Sequence, residues 1–166
     1  MSYVNLKVRS TNEQVFSALI IFVTLISTSA LANDDKFDYD KFVKQYYQAM
    51  TNTQKPGASK KDLEHYLSFL TDDVGNQHFP NAPDDSREPN GKKLMREGMS
   101  RYLGVHTGYE ANIIEYIAGY NSVALKHKFS AKGQRSDGSE FSYSKVVLDV
   151  IELENGKVSV IRRYGQ

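Results

Sequence analysis

The chain has 166 residues, of which 40% are hydrophobic and 25% are charged, and it contains no cysteine. This length allows one globular domain with a short additional segment. The lack of thiols excludes disulfides and thiolate metal sites. The formal net charge of +1 offers no basic excess to bind nucleic acid or an anionic membrane surface.

The first 32 residues have the pattern of a secretory signal peptide. Lys7 and Arg9 precede a largely apolar run over residues 15–26, and a small-residue site, Ala30-x-Ala32, follows it. A membrane anchor is the alternative, but a span of the bilayer needs about 20 apolar residues. We therefore expect cleavage after Ala32, no stable membrane insertion afterwards, and a periplasmic or secreted bacterial protein.

Removal of residues 1–32 leaves 19 basic and 19 acidic residues, so the exported chain is formally neutral. We assign residues 33–37 to a short leader and residues 38–166 to a single domain. With no cysteines, the stability of this domain has to come from a packed core.

Three helices are predicted because apolar residues recur at helical spacing. They cover residues 38–52, 60–70 and 92–104. Asp38 or Asp40 is a plausible N-cap of the first helix, and Ser59 with Asp62 resembles a capping box at the start of the second. The apolar side of the third helix carries Leu94, Met95, Met99, Tyr102 and Leu103.

The other segments predict β-strands over residues 74–79, 109–121, 122–133, 141–154 and 157–165. Asp137-Gly138 and Asn155-Gly156 are hairpin signals, because these residue types tolerate positive φ. The order α-α-β-α-β-β-β-β predicts an α+β domain. In this fold a cone-like, curved antiparallel sheet wraps around the helices and leaves a pocket between sheet and helices.

Three stretches in this order resemble the nuclear transport factor 2-like superfamily, in the style of SnoaL-like polyketide cyclases and ketosteroid isomerase. They are FVKQYYQAM in the first helix, LTDDVGNQHFP at the start of the sheet, and VVLDVIELENGKVSVIRRYG as the last hairpin. The resemblance covers residues 38–166. It implies a cofactor-free pocket in which acid/base chemistry acts on a carbonyl compound, as in isomerases, dehydratases and cyclases.

The resemblance also implies three catalytic residues. Tyr46 matches a tyrosine that stabilises an oxyanion, His78 matches the general base, and Asp149 matches an aspartic acid that an apolar site keeps protonated. Ketosteroid isomerase has an aspartate where this chain has His78. Proton transfer, rather than steroid isomerisation itself, is therefore the implied chemistry.

Each of these residues also has a structural interpretation. A carboxyl group in apolar company is protonated, paired or in a wet pocket, and the cations that Asp149 is expected to find are Arg162, Arg163 and Lys145. His78 fits a strand-end histidine satisfied by backbone hydrogen bonds. Tyr46 fits a core aromatic residue of an amphipathic helix.

Further residues are expected to bind the ligand. Tyr143 and Lys145 share strand parity with Asp149 and point to the same face of the sheet. His127 points inward, either into the pocket or into the core. The expected ligand-binding residues are Tyr66, Met99, His127, Tyr143 and Lys145, whereas His65 and His106 are assigned to the surface.

No metal and no cofactor are expected. The histidines lack the i, i+4 spacing of a metal site, and neither a glycine-rich phosphate loop nor a nucleophile elbow is present. The expected partner is a small apolar or carbonyl-bearing molecule. The alternative is a non-catalytic ligand-binding or dimerisation module, with a homodimer formed through the convex sheet face that carries Val146, Leu148 and Val150.

Overall fold

The computed structural model describes residues 37–135 and 137–165. The predicted signal peptide and all of the predicted leader except Phe37 lie outside the described residues. The helices are α1 (Tyr39–Asn52), α2 (Lys60–Leu67) and α3 (Gly91–Ser100). The strands are β1 (Leu70–Phe79), β2 (His106–Gly119), β3 (Ser122–Gln134), β4 (Glu140–Glu154) and β5 (Lys157–Gly165).

The five strands form one sheet in the order β1-β5-β4-β3-β2. The pairs β2–β3, β3–β4 and β4–β5 are antiparallel, as predicted, but β1 pairs with β5 in parallel. The sheet is therefore mixed, and the expectation of a fully antiparallel sheet is wrong in this respect. Alternation of apolar residues fixes the face of each side chain but not the partner strand, which explains the error.

Helix α1 begins directly after Asp38, which is its N-cap. The Asp38 side chain accepts a hydrogen bond from the Lys41 backbone N–H at 2.9 Å, which satisfies one of the unpaired donors of the first turn. The predicted apolar stripe is buried and consists of Phe42, Val43, Tyr46, Tyr47 and Met50. This stripe packs the helix on the sheet and on α2.

Helix α2 has the predicted capping box between Ser59 and Asp62. It ends at Leu67, three residues earlier than predicted, because Leu70 already begins β1. Leu63, Leu67 and Leu70 are all buried, so their spacing fits a longer helix although the last of them belongs to a strand. In the described part of the chain, no helix has the length and apolar character needed to cross a membrane.

Two tight turns shape the sheet. The turn at Asn155-Gly156 was predicted, whereas Tyr120 and Asn121 were assigned to the end of a strand. Tyr120 and Asn121 join β2 to β3 with φ of 49° and 56°, and Asn155 and Gly156 join β4 to β5 with φ of 50° and 75°. Two consecutive residues at positive φ match the right-handed twist of the flanking strands. The β2–β3 and β4–β5 hairpins that these turns form belong to the sheet that packs against the helices.

Candidate functional site

A cavity of about 900 Å³ lies between the helices and the sheet. All three helices and all five strands contribute residues to its lining. The volume lies in the range of sites that enclose a small organic molecule.

One wall is the apolar side of α3 and of the turn that follows it. Leu94 and Tyr102 line the cavity with 51% and 62% of their surface exposed, beside the half-buried Met95 and Met99. An amphipathic helix of a globular domain normally buries its apolar stripe in the core. Here only part of the stripe is packed: Met95 and Met99 pack against the core from its margin, whereas Leu94 and Tyr102 stay exposed on the cavity wall.

The facing wall is aromatic and comes from β2, β3 and β4. Tyr109 stacks on Phe129 at 5.8 Å between ring centroids, and Tyr143 contacts Phe129 edge-on at 5.9 Å. Phe141 stacks on Tyr143 at 5.8 Å. These rings present an apolar surface with few internal degrees of freedom, which suits a flat ligand.

A buried polar cluster stands among these apolar walls. Asp149 on β4 lies directly opposite Arg163 on β5, and its side chain is 0% exposed. Arg163 Nε donates to Oδ1 and Nη2 to Oδ2, both at 2.7 Å, which is the bidentate arrangement of a strong ion pair. His127 Nε2 on β3 lies 3.0 Å from Oδ2.

These contacts set the charge of Asp149. Burial alone would raise the pKa of this carboxyl, but the Arg163 guanidinium and the hydrogen bonds from Arg163 and His127 lower the pKa well below its ordinary value. Asp149 is therefore ionised, and the protonated state that the resemblance implied is corrected. The paired alternative holds, with Arg163 as the cation.

The second nitrogen of His127 has an unusual environment. His127 is 1% exposed and is one of the residues that line the cavity. Its Nδ1 nonetheless has no hydrogen-bond partner within the described residues. The hydroxyl of Tyr47, whose ring meets the imidazole edge-on at 5.2 Å, also lacks a partner there. A buried polar atom without a partner costs about 1–3 kcal/mol.

His78 lies on β1, across the parallel pairing from Arg163, and lines the cavity. Its backbone N–H and C=O both bond to Ala82 at 2.8 Å, which fixes the strand end. The residue is exposed by surface area, but the protein atoms around its ring remove part of its hydration. This desolvation, and then the charge of Arg163, lower the pKa of the imidazole, while Asp149 acts in the opposite direction. His78 is consequently neutral at pH 7, the state that a base requires.

The structure places Tyr46 in the core, behind the cavity wall. Its hydroxyl lies 3.3 Å from that of Tyr66, and of the two only Tyr66 lines the cavity. Burial raises the pKa of both phenols, so both stay protonated. Direct contact between Tyr46 and a ligand is therefore not supported, whereas Tyr66 can donate to one.

Of the other expected residues, Met99, His127 and Tyr143 line the cavity, but Lys145 does not. Lys145 is exposed and lines a separate groove of the sheet. His106 was expected on the surface but lines the cavity, because β2 begins three residues earlier than predicted. Its Nδ1 lies 2.9 Å from the Gln54 carbonyl oxygen, which ties β2 to the end of α1.

Arg163 is one of the cavity residues that the sequence analysis did not assign to ligand binding. It was expected only as one of three possible partners of Asp149, because the register of the last hairpin that places it there is not evident from the sequence. No group of three or more His, Cys, Asp or Glu side chains within residues 37–135 and 137–165 is arranged to hold a metal ion.

Comparison with solved structures identifies the fold. A nuclear transport factor 2-like protein from Anabaena variabilis superposes with a TM-score of 0.58 at 18% identity, over 76% of this chain and 87% of that chain. A candidate SnoaL-like polyketide cyclase from Shewanella putrefaciens gives 0.59 at 13% identity, over 76% and 78%. An LEH-like epoxide hydrolase from M. tuberculosis gives 0.56 at 17% identity, over 76% and 84%.

These similarities show that the chain has the nuclear transport factor 2-like fold, as predicted. No family model matches the sequence, and no curated protein matches it. The particular activity therefore has to be argued from the cavity itself.

Proposed function

We propose that this protein binds a small, largely apolar, carbonyl-bearing molecule in the cavity and moves a proton to or from it without a cofactor. The observation that carries the proposal is that exposed apolar side chains of α3 and of the turn after it line the same cavity as the polar cluster. Solved structures of this fold include one named for polyketide cyclase activity and one for epoxide hydrolase activity.

Binding is supported by the apolar surface that the fold leaves uncovered. Leu94 and Tyr102 line the cavity with more than half of their surface exposed. Fully burying one such side chain is worth about 1.5–3 kcal/mol. A ligand that fills the gap therefore gains the stabilisation that these residues do not obtain from the protein.

Proton transfer is supported by the state of the polar groups. His78 is a neutral imidazole on the wall, and a base works best when its pKa lies near the working pH. Arg163 lines the same cavity, and its Nη1 makes no hydrogen bond within the described residues. In this proposal His78 accepts a proton from the carbon beside the carbonyl, and Arg163 with the Tyr66 hydroxyl stabilises the resulting oxyanion.

Binding is tested with Nile red, whose fluorescence rises in an apolar site. We expect Leu94→Glu to abolish the signal, because it places a charge on the cavity wall. Lys93→Glu is the matched control, since Lys93 is exposed and does not line the cavity. Equal binding by both variants would remove the cavity from the proposal.

Native mass spectrometry of the purified protein separates an enzyme from a carrier. A carrier, the second candidate, holds a co-purified molecule that is released chemically unchanged. An enzyme converts that molecule, and His78→Ala lowers the rate by about 10²–10⁴ if His78 is the base. An unchanged rate in that variant would exclude His78 from the proton transfer.

We also propose export, on the basis of the signal-peptide pattern in residues 1–32. N-terminal sequencing of the protein from a bacterial periplasm or medium should begin at Asn33. Recovery of the intact N-terminus from the cytoplasm alone would contradict it.

A further inference from the structure

We propose that the ligand of this cavity carries a hydroxyl or similar donor that hydrogen-bonds to Nδ1 of His127, and that Asp149 and Arg163 hold His127 ready to receive it. This inference rests on the proposed function and names the ligand class more closely. It adds His127 as a second base, which contacts the ligand O–H while His78 acts on the C–H bond, and it makes Asp149 the positioning residue of His127.

The first step is the tautomer of His127. An ionised carboxylate only accepts hydrogen bonds, and Asp149 is held in that state by the bidentate contact with Arg163. The nitrogen 3.0 Å from Asp149 is Nε2, so Nε2 carries a hydrogen. In the neutral imidazole, Nδ1 then has a lone pair and acts as an acceptor.

The second step is that this acceptor is unused. Buried polar side-chain atoms in proteins nearly always have a hydrogen-bond partner, and each exception calls for an explanation. Within the described residues Nδ1 has none, although His127 lies deep in the fold and its residue lines the cavity. The Phe129 ring next to the imidazole has no donor, and the Tyr47 hydroxyl makes no hydrogen bond to Nδ1. The missing donor is therefore assigned to the molecule that fills the cavity.

The third step concerns the other polar end of the ligand. Arg163 donates to Asp149 through Nε and Nη2, so Nη1 is left to donate to a molecule in the cavity. A ligand that offers a donor to His127 and an acceptor oxygen to Arg163 satisfies both groups. The class that fits is a flat, unsaturated compound with a hydroxyl close to a carbonyl oxygen, because the remaining walls are aromatic and aliphatic.

The same arrangement allows a complete proton transfer. The ligand O–H bond breaks, an Nδ1–H bond forms on His127, and the electron pair stays on the ligand. Conjugation shares the negative charge with the ligand carbonyl oxygen, which lies beside Arg163. The imidazolium that results faces the Asp149 carboxylate through Nε2–H, which stabilises it. His78 has no carboxylate hydrogen-bonded to its ring among the described residues, so its ring is not oriented in this way.

A matched pair of probes tests the donor. 4-Nitrophenol and 4-nitroanisole have similar shapes, but only the phenol donates a hydrogen bond. We expect calorimetry at a pH below the pKa of the free phenol to show at least tenfold tighter binding of the phenol by the unaltered protein. That preference should vanish in His127→Phe and persist in His65→Phe, because His65 is exposed and does not line the cavity.

The outcomes separate this inference from the proposed function. Equal affinity for the two probes, or a preference that survives His127→Phe, overturns the inference, while Nile red binding leaves the cavity proposal standing. If neither the dye nor the probes bind, both proposals fall.

Nitrogen-15 NMR of the unaltered protein gives a test that needs no variant at His127. We expect a hydrogen on Nε2, a bare Nδ1, and a shift of the Nδ1 resonance when 4-nitrophenol binds. In Asp149→Asn the Nε2–H tautomer should lose its preference. A purely structural His127 would leave the Nδ1 resonance unmoved by the probe and would overturn the inference.

Discussion

Asp149 carries a charge with no access to water, and its stability depends on two partners from neighbouring strands. Taking an ion pair out of water is costly, so such a pair adds little net stability when it is intact. Removal of one partner is different, because the remaining charge stays buried and uncompensated. Arg163 is consequently a structural necessity for Asp149 as well as a cavity residue.

This asymmetry predicts the effect of Arg163→Met. We expect the free energy of unfolding to fall by about 3–5 kcal/mol, the usual cost of an orphaned buried charge. Urea denaturation of the purified variant measures it. Arg162→Met is the control, since the ion pairs of Arg162 with Asp85 and Glu152 are partly exposed and such pairs are worth about 0–1 kcal/mol. Equal losses in the two variants would contradict the argument.

The pKa of His78 provides a second prediction at this scale. Because desolvation and Arg163 lower the pKa, NMR titration should give a midpoint below the ordinary value of 6.5. The stability contributed by neutral His78 is present above pH 6.5 and is lost as the pH falls through the lowered pKa. Asp149→Asn removes a charge that raises the pKa, so the midpoint should fall further; a rise would contradict this electrostatic account.

At the scale of elements, α3 differs from α1 and α2. The apolar residues of α1 and α2 are buried in the core, whereas those of α3 line the cavity. The sequence pattern of all three helices is the same, because helical periodicity shows that one side is apolar but not what covers it.

This difference predicts unequal costs for the same substitution. Leu67→Ala, in the core of α2, should lower the free energy of unfolding by about 2–5 kcal/mol. Leu94→Ala on α3 should change it by about 0.5 kcal/mol or less, as expected for an exposed position. Thermal or urea unfolding of both variants checks this, and a large loss in Leu94→Ala would mean that α3 packs more tightly than described.

Local signals explain how much of the fold was predictable. The capping residues Asp38 and Ser59 and the Asn155-Gly156 turn act over a few residues, and the structure confirms all of them. The parallel partner of β1 depends on contacts between distant segments, which alternation does not encode. The fold class was therefore predictable, but the parallel pairing of the edge strand β1 with β5 was not.

The site shows the same limit in finer detail. Counting back from the Asn155-Gly156 turn in a regular hairpin sets Arg162 opposite Asp149. The observed register shift, with Ser159 as the extra residue, sets Arg163 there instead. A bulge of one residue exchanges the two faces of a strand. The choice among the cations near Asp149 thus required the structure, whereas the buried carboxyl itself was visible in the sequence.

For the whole molecule, the sheet face away from the helices is the remaining feature. A groove there is lined by apolar residues, including Val146, Leu148 and Ile117, the last with 79% of its surface exposed. Its edge carries both charge signs, with Lys126 paired to Glu115 at 3.0 Å. A surface that contains both signs can face a copy of itself, so we propose a two-fold homodimer through this face.

Sedimentation analysis tests the dimer. We expect twice the mass of the exported chain for the unaltered protein, and a monomer for Ile117→Lys, which places a charge in the apolar groove. Thr107→Lys is the control, because Thr107 is exposed on the same strand but outside the groove. A monomer at every concentration of the unaltered protein would overturn the proposal.

The position of β5 between β1 and β4 has a consequence for synthesis. β1 is made early, yet its hydrogen-bonding partner is the last of the five described strands to be translated. A nascent chain that stops before residue 157 would carry Asp149 without the Arg163 guanidinium and β1 without a partner strand in the sheet. β5 has to be made before the cavity can form, so truncated translation products should be degraded by proteases.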